Sequence, residues 1–172
     1  MQIALLNRNE NSDKLRLIFS GYGQDSKIFE YLCRDFSGNL ALVYDYRSMD
    51  FDESVITPFK TIDLITWSMG VMIAPKVLLP HNLLDRVVKS TSINGTIYGI
   101  DDKFGIVHKM WQATIDSINE KTALKFYQRM CTDKAVFDEF LPFLCQRSVD
   151  ELKNELEFIQ KINEIVNRKI LL

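Results

Sequence analysis

The chain has 172 residues, 47% hydrophobic and 26% charged, which allows one domain or one domain carrying a small insertion. Its formal net charge of -2, from 21 basic and 23 acidic residues, argues against nucleic-acid binding, where a basic excess or stripe is the rule. Three cysteines (Cys33, Cys131 and Cys145) are an odd count with no CxxC or metal-like spacing, so reduced, buried thiols are expected rather than a disulfide framework or a zinc site.

The amino-terminal stretch MQIALLNRNENSDK lacks the basic region and small-residue cleavage site of a secretory signal. No apolar run reaches the roughly 18 residues of a membrane span. A cytoplasmic protein that touches neither membrane nor nucleic acid is the expectation. Short β-branched or aromatic runs at 15–19 (LRLIF), 40–44 (LALVY) and 62–67 (IDLITW) read as strands. Their near-continuous apolarity fits a sheet covered on both faces. Residues 2–6 and 87–93 are candidates for further strands. Between them, 25–34 and 70–79 read as helices, the second buried, with Pro75 either in its first turns or kinking it. Alternating strands and helices predict an α/β core with a mostly parallel sheet over residues 1–106.

From residue 107 to 164 amphipathic helical periods take over. Helices are expected over 106–119, 121–131, 134–144 and 148–163, forming a helical cap. Ser148 with Glu151 three residues on is a capping-box pattern, and Leu152, Leu156, Ile159, Ile162 and Ile165 follow at helical spacing. Residues 165–172 read as the start of a further core strand.

Chemistry concentrates at Thr66-Trp67-Ser68-Met69-Gly70, where a strand hands over to a helix. A serine on such a turn is projected above the carboxyl edge of the sheet, as a nucleophile elbow requires. Gly70 supplies one of the small flanking residues, whereas Thr66 stands where the full G-x-S-x-G pattern has a glycine. Upstream, the strand LRLIF runs into Ser20-Gly21-Tyr22-Gly23, a loop placed to aim the Tyr22 N–H, with that of Met69, at a developing oxyanion. After the 87–93 strand come Asp101 and Asp102, either of which could orient an imidazolium, while the bland reading makes them helix caps. The two histidines, His81 and His108, both precede the position expected for a triad base, so neither is assigned that role.

The pieces FSGYG (19–23), VYDY (43–46), LITWSMGV (64–71), INGT (93–96), IDDKFGI (100–106), LKFYQRMCTDKAVF (124–137) and VDEL (149–152) together resemble the BioG-type pimeloyl-[acyl-carrier-protein] methyl ester esterases of biotin biosynthesis. That resemblance implies a three-layer α/β-hydrolase fold. It also implies a serine carboxylic-ester hydrolase that releases methanol from the methyl ester of pimeloyl-acyl-carrier protein, with no cofactor and no metal. Ser68 would be the nucleophile, Tyr22 and Met69 the oxyanion donors, and Asp101 or Asp102 the acid. Trp67, Lys125, Arg129 and Arg147 would contact the substrate or the acidic carrier protein, with Lys134 as a further basic candidate. Members of that family continue for several tens of residues past a position like Leu172, and that part supplies the last strands and the catalytic histidine. The resemblance therefore implies impaired turnover and an open sheet edge in the chain as it stands. Two other readings stay open: a non-catalytic protein that binds acyl-carrier protein, and a hydrolase of another acyl ester.

Overall fold

The computed structural model describes residues 1–170, with side-chain placement through residue 163. Five strands, β1 (Gln2–Asn7), β2 (Lys14–Phe19), β3 (Asn39–Tyr44), β4 (Thr61–Trp67) and β5 (Val87–Ile93), form one sheet in the order β1-β3-β2-β4-β5. β2 pairs in parallel with β3 and β4, and β4 with β5, while β1 runs antiparallel to β3 at one edge. The five strands expected within residues 1–106 are present.

The two-residue period of the strands divides their side chains between two faces. On one face Leu15, Leu17, Phe19, Ile62 and Leu64 pack with the buried side of α2 (Gly70–Leu78), which runs through Pro75. Trp111 and Ile115 of α3 (His108–Ser117) join the same cluster, with Leu152, Leu156, Ile159 and Ile162 of α6 (Val149–Ile170). On the other face Ile18, Leu40 and Leu42 meet Phe29 of α1 (Ser26–Leu32). β5 closes the second edge and is exposed along most of its length, Val88 at 68%.

Caps explain the helix starts. Asp25 accepts from the Lys27 N–H at 3.0 Å at the head of α1. Asn119 and Thr122 form a reciprocal capping box on α4 (Glu120–Met130). Asp133 caps α5 (Lys134–Phe140). The Ser148–Glu151 pair read from sequence closes as expected, with the Ser148 N–H donating to Glu151 at 2.9 Å.

One expectation is corrected. The segment assigned to a new strand over 165–172 continues α6 as helix to Ile170, and residues 171–172 lie outside the described residues. No glycine or proline occurs from 149 onward, and the helical apolar spacing persists to Ile165, so nothing local stops the helix. Among the described residues no helix is long and apolar enough to cross a membrane.

Candidate active site

Ser68 sits on the turn between β4 and α2 with φ +53°, a left-handed conformation that costs a non-glycine residue strain and marks an over-determined position. The turn is held by its neighbours: the Ser68 N–H donates to the Ile93 carbonyl at 2.9 Å and its carbonyl accepts from the Val71 N–H at 3.1 Å. Gly70 makes this geometry possible, because a β-carbon there would lie 2.4 Å from the Phe19 carbonyl oxygen, a backbone atom that cannot swing aside. Gly70→Ala is expected to cost about 1–3 kcal/mol or more, read as a fall in the urea midpoint. Thr66, in place of the elbow's first glycine, is accommodated sideways: its side chain is buried and its hydroxyl meets that of Ser92 on β5 at 3.0 Å.

The loop after β2 closes on the serine. A β-carbon on Gly21 would lie 3.3 Å from Ser68 Cβ. Gly95, in the loop after β5, approaches so closely that a β-carbon there would be 2.3 Å from the Ser68 carbonyl oxygen. Three loops at the carboxyl ends of parallel strands thus converge on Ser68, the place where open α/β sheets bind ligands. Among the described residues no protein acceptor takes the N–H of Met69 or of Tyr22.

The aspartates differ. Asp101 is half-buried and accepts from the N–H groups of Lys103 and Phe104, at 2.9 and 2.7 Å, so it shapes its own loop. Asp102 accepts from the backbone N–H of His108 at 2.8 Å and contacts His108 Nδ1 at 3.0 Å, and these bonds hold its carboxyl below the usual range. Both members of that pair are exposed. His81 instead contacts Glu53 at 3.1 Å. Among the described residues no hydrogen bond joins either histidine to the Ser68 hydroxyl. His108→Ala is expected to leave any Ser68-dependent ester turnover unchanged; a loss as large as that of Ser68→Ala would instead make His108 the base.

Two cavities adjoin this region, one at Tyr22 and the other at Trp67. One, of about 360 Å³, is lined by Tyr22, Ile118, Phe126 and Leu152, with Lys125 and Arg129 of α4 also on its wall. The other, of about 280 Å³, is walled by Trp67, Ile28, Leu32, Met130, Val136 and Phe140. Trp67 also packs edge-on against Phe29 at 6.4 Å. Lys125 and Arg129 are exposed, and Lys134 is engaged by Asp138 one turn on.

Arg147 stands apart from these basic residues. Its side chain is only 9% exposed and pairs with Glu155 at 2.9 Å and Asp45 at 3.0 Å, so the structure places it inside rather than on a free basic face. Glu155 is fully buried, and burial pushes its carboxyl up against the opposing pull of Arg147. Sequence reasoning missed Glu155, although a charged residue within the Leu152, Leu156, Ile159 stripe is a readable anomaly. The three cysteines are half-buried free thiols, and burial pushes Cys145 up to about 11.

A model of the family described as "Pimeloyl-ACP methyl esterase BioG" matches residues 3–169. A malonyl-[acyl-carrier protein] O-methyltransferase of Bacteroides fragilis (strain 638R) is 40% identical over 140 residues, covering 81% of this chain and 28% of that protein. The chain therefore spans less than a third of that relative. The crystal structure of BioG from Haemophilus influenzae superposes with a TM-score of 0.78 at 30% identity, over 95% of this chain and 73% of that one. A lipase-esterase related protein from Clostridium acetobutylicum gives a TM-score of 0.61 at 22% identity, covering 90% of this chain and 69% of that one. The fold is that of the α/β-hydrolases.

Proposed function

The chain belongs to the pimeloyl-ACP methyl esterase BioG family, and from that premise we propose that it carries the nucleophile and oxyanion half of a serine ester hydrolase for the methyl ester of pimeloyl-acyl-carrier protein, in biotin biosynthesis. The observation that carries this reading is Ser68 at φ +53° on the strand-to-helix turn, with the Gly21 loop against its Cβ. In this reading Ser68 Oγ attacks the ester carbonyl, and the carbonyl oxygen, as it gains negative charge, takes hydrogen bonds from the N–H groups of Met69 and Tyr22. Methoxide leaves as methanol after gaining a proton, and water then frees the carboxylate from the acyl-serine.

Asp101 or Asp102 is the acid in this scheme. Asp102 already bonds to His108, which is not the assigned base, and Asp101 bonds within its own loop. Lys125 and Arg129 would meet the acidic carrier protein at the rim of the larger cavity, where complementary charge steers encounter. Trp67 would contact the acyl group through the apolar cavity that it walls.

Among the described residues no histidine bonds to the Ser68 hydroxyl, so proton removal from it is the weak step, and unaided turnover by the chain is weak or absent. Without its base a triad site retains roughly 10³–10⁴-fold over water, from the oxyanion hole and binding. The same observation supports the rival reading, a non-catalytic protein that binds acyl-carrier protein. Substrate class is tested by supplying imidazole as base and comparing a pimeloyl methyl ester on its carrier with short p-nitrophenyl esters. Preference for the carrier-bound methyl ester is expected. Preference for the short esters would make the chain a hydrolase of another acyl class, and no turnover of any ester would leave the binding reading.

A further inference from the structure

The loop that presents the Tyr22 N–H does not stand alone. Its backbone is gripped by side chains from distant parts of the chain, two of them on helices that follow the sheet. Glu155 of α6 accepts the Gly23 N–H through Oε2 at 3.1 Å and the Tyr46 N–H through Oε1 at 2.9 Å. Tyr127 of α4 donates its hydroxyl to the Gly23 carbonyl at 2.7 Å. Tyr46, wholly buried, donates to the Ser20 carbonyl at 2.7 Å. Gly23 is thus held at both ends of its own residue, one position after Tyr22, and Arg147 fixes the carboxylate that does half of the holding.

The Tyr22 side chain adds a third anchor. It is 8% exposed and meets Phe126 of α4 edge-on at 5.5 Å. Gly23 itself has φ +71°, so the chain at this point follows a path that bonds, not local preference, must select. An oxyanion donor is useful only if it is fixed before charge develops, because reorganisation at that moment would cancel its gain.

We propose that Glu155 and Tyr127 are positioning residues: they clamp Gly23 and thereby aim the Tyr22 N–H at the ester oxygen above Ser68. The proposal rests on the esterase reading for its catalytic consequence. Its structural half is independent of that reading. The helices after the sheet then act as part of the oxyanion apparatus, not merely as a cover.

Two variants test it. Tyr127→Phe removes one hydroxyl and keeps the ring, and Glu155→Gln removes the charge and one of the two acceptor oxygens. Each is assayed for thermal unfolding, for exchange of the Gly23 amide proton by NMR, and for imidazole-assisted turnover of an activated ester beside Ser68→Ala. In folded protein, Gly23 exchange is expected to quicken in Glu155→Gln, because a neutral amide oxygen is a weaker acceptor than a carboxylate and only one oxygen is left for the Gly23 and Tyr46 N–H groups. In both variants kcat is expected to fall by about 10- to 100-fold, the scale of a misaligned catalytic group, with KM nearly unchanged. Tyr127→Phe keeps the proposal decidable if Glu155→Gln does not fold. Unchanged kcat in folded Tyr127→Phe overturns the clamp, as does a loss confined to stability. The esterase reading fails differently, by equal turnover in wild type and Ser68→Ala, and Gly23 exchange then still decides whether the grip on the loop exists.

Discussion

Arg147→Ala should be strongly destabilising, at about 3–5 kcal/mol, because it leaves the buried Glu155 carboxylate without a cation. Glu155 has no exposed surface and Asp45 a 6% exposed side chain, and Arg147 bridges them at 2.9 and 3.0 Å. Arg47 shares the load at Asp45, with a 2.7 Å contact, and also reaches Glu151 at 3.0 Å. Burial works against ionising Asp45, but the Arg47 hydrogen bond and the nearby Arg147 outweigh it and hold that carboxyl below its usual range. Glu155 has no such second cation, so it bears the larger penalty when Arg147 is lost. Urea unfolding monitored by circular dichroism gives the number. Replacing Arg147 and Glu155 together with methionine should recover much of the loss, since removing a buried pair costs less than halving it. A drop below about 1 kcal/mol for Arg147→Ala, the scale of an exposed pair, would show that the network is solvated and contributes little.

The strands were legible because each is a short β-branched or aromatic run between polar turns, and the signal for β4 coincides with the elbow it delivers. The elbow was readable as Ser68 between strand and helix in spite of Thr66, and the structure shows why that departure is tolerated: the threonine hydroxyl turns along the sheet to Ser92. Helix starts were legible wherever a cap residue stood at the right place, as with Ser148 and Asp25. The carboxyl-terminal part of α6 was not, since a short apolar run after Arg168 and Lys169 satisfies strand and helix patterns equally, and the helix runs on to Ile170.

Arg147 was misplaced for a different reason. A charged residue between helices reads as surface, and only three-dimensional proximity of Asp45 to Glu155, separated by more than a hundred residues in sequence, reveals the buried network. The grip of Tyr127 and Glu155 on Gly23 has the same character: hydrogen bonds spanning 104 and 132 residues leave no local trace. The motif over residues 66–70 pointed to Ser68 as the candidate nucleophile, but not to what holds its surroundings.

Ser68→Ala carries the central claim. Supplied imidazole can take the proton that no histidine among the described residues is placed to take, and general-base assistance of this kind is worth about 10²-fold or more when a nucleophile is positioned to use it. Ester hydrolysis is therefore measured against imidazole concentration for wild type and Ser68→Ala side by side, the variant reporting the reaction of imidazole with the ester in free solution. The account predicts a saturable, imidazole-dependent rate in wild type that exceeds the variant's by about a hundredfold at the highest concentration. Superimposable rates for the two proteins across the whole range would contradict it, because Ser68 would then take no part in ester cleavage.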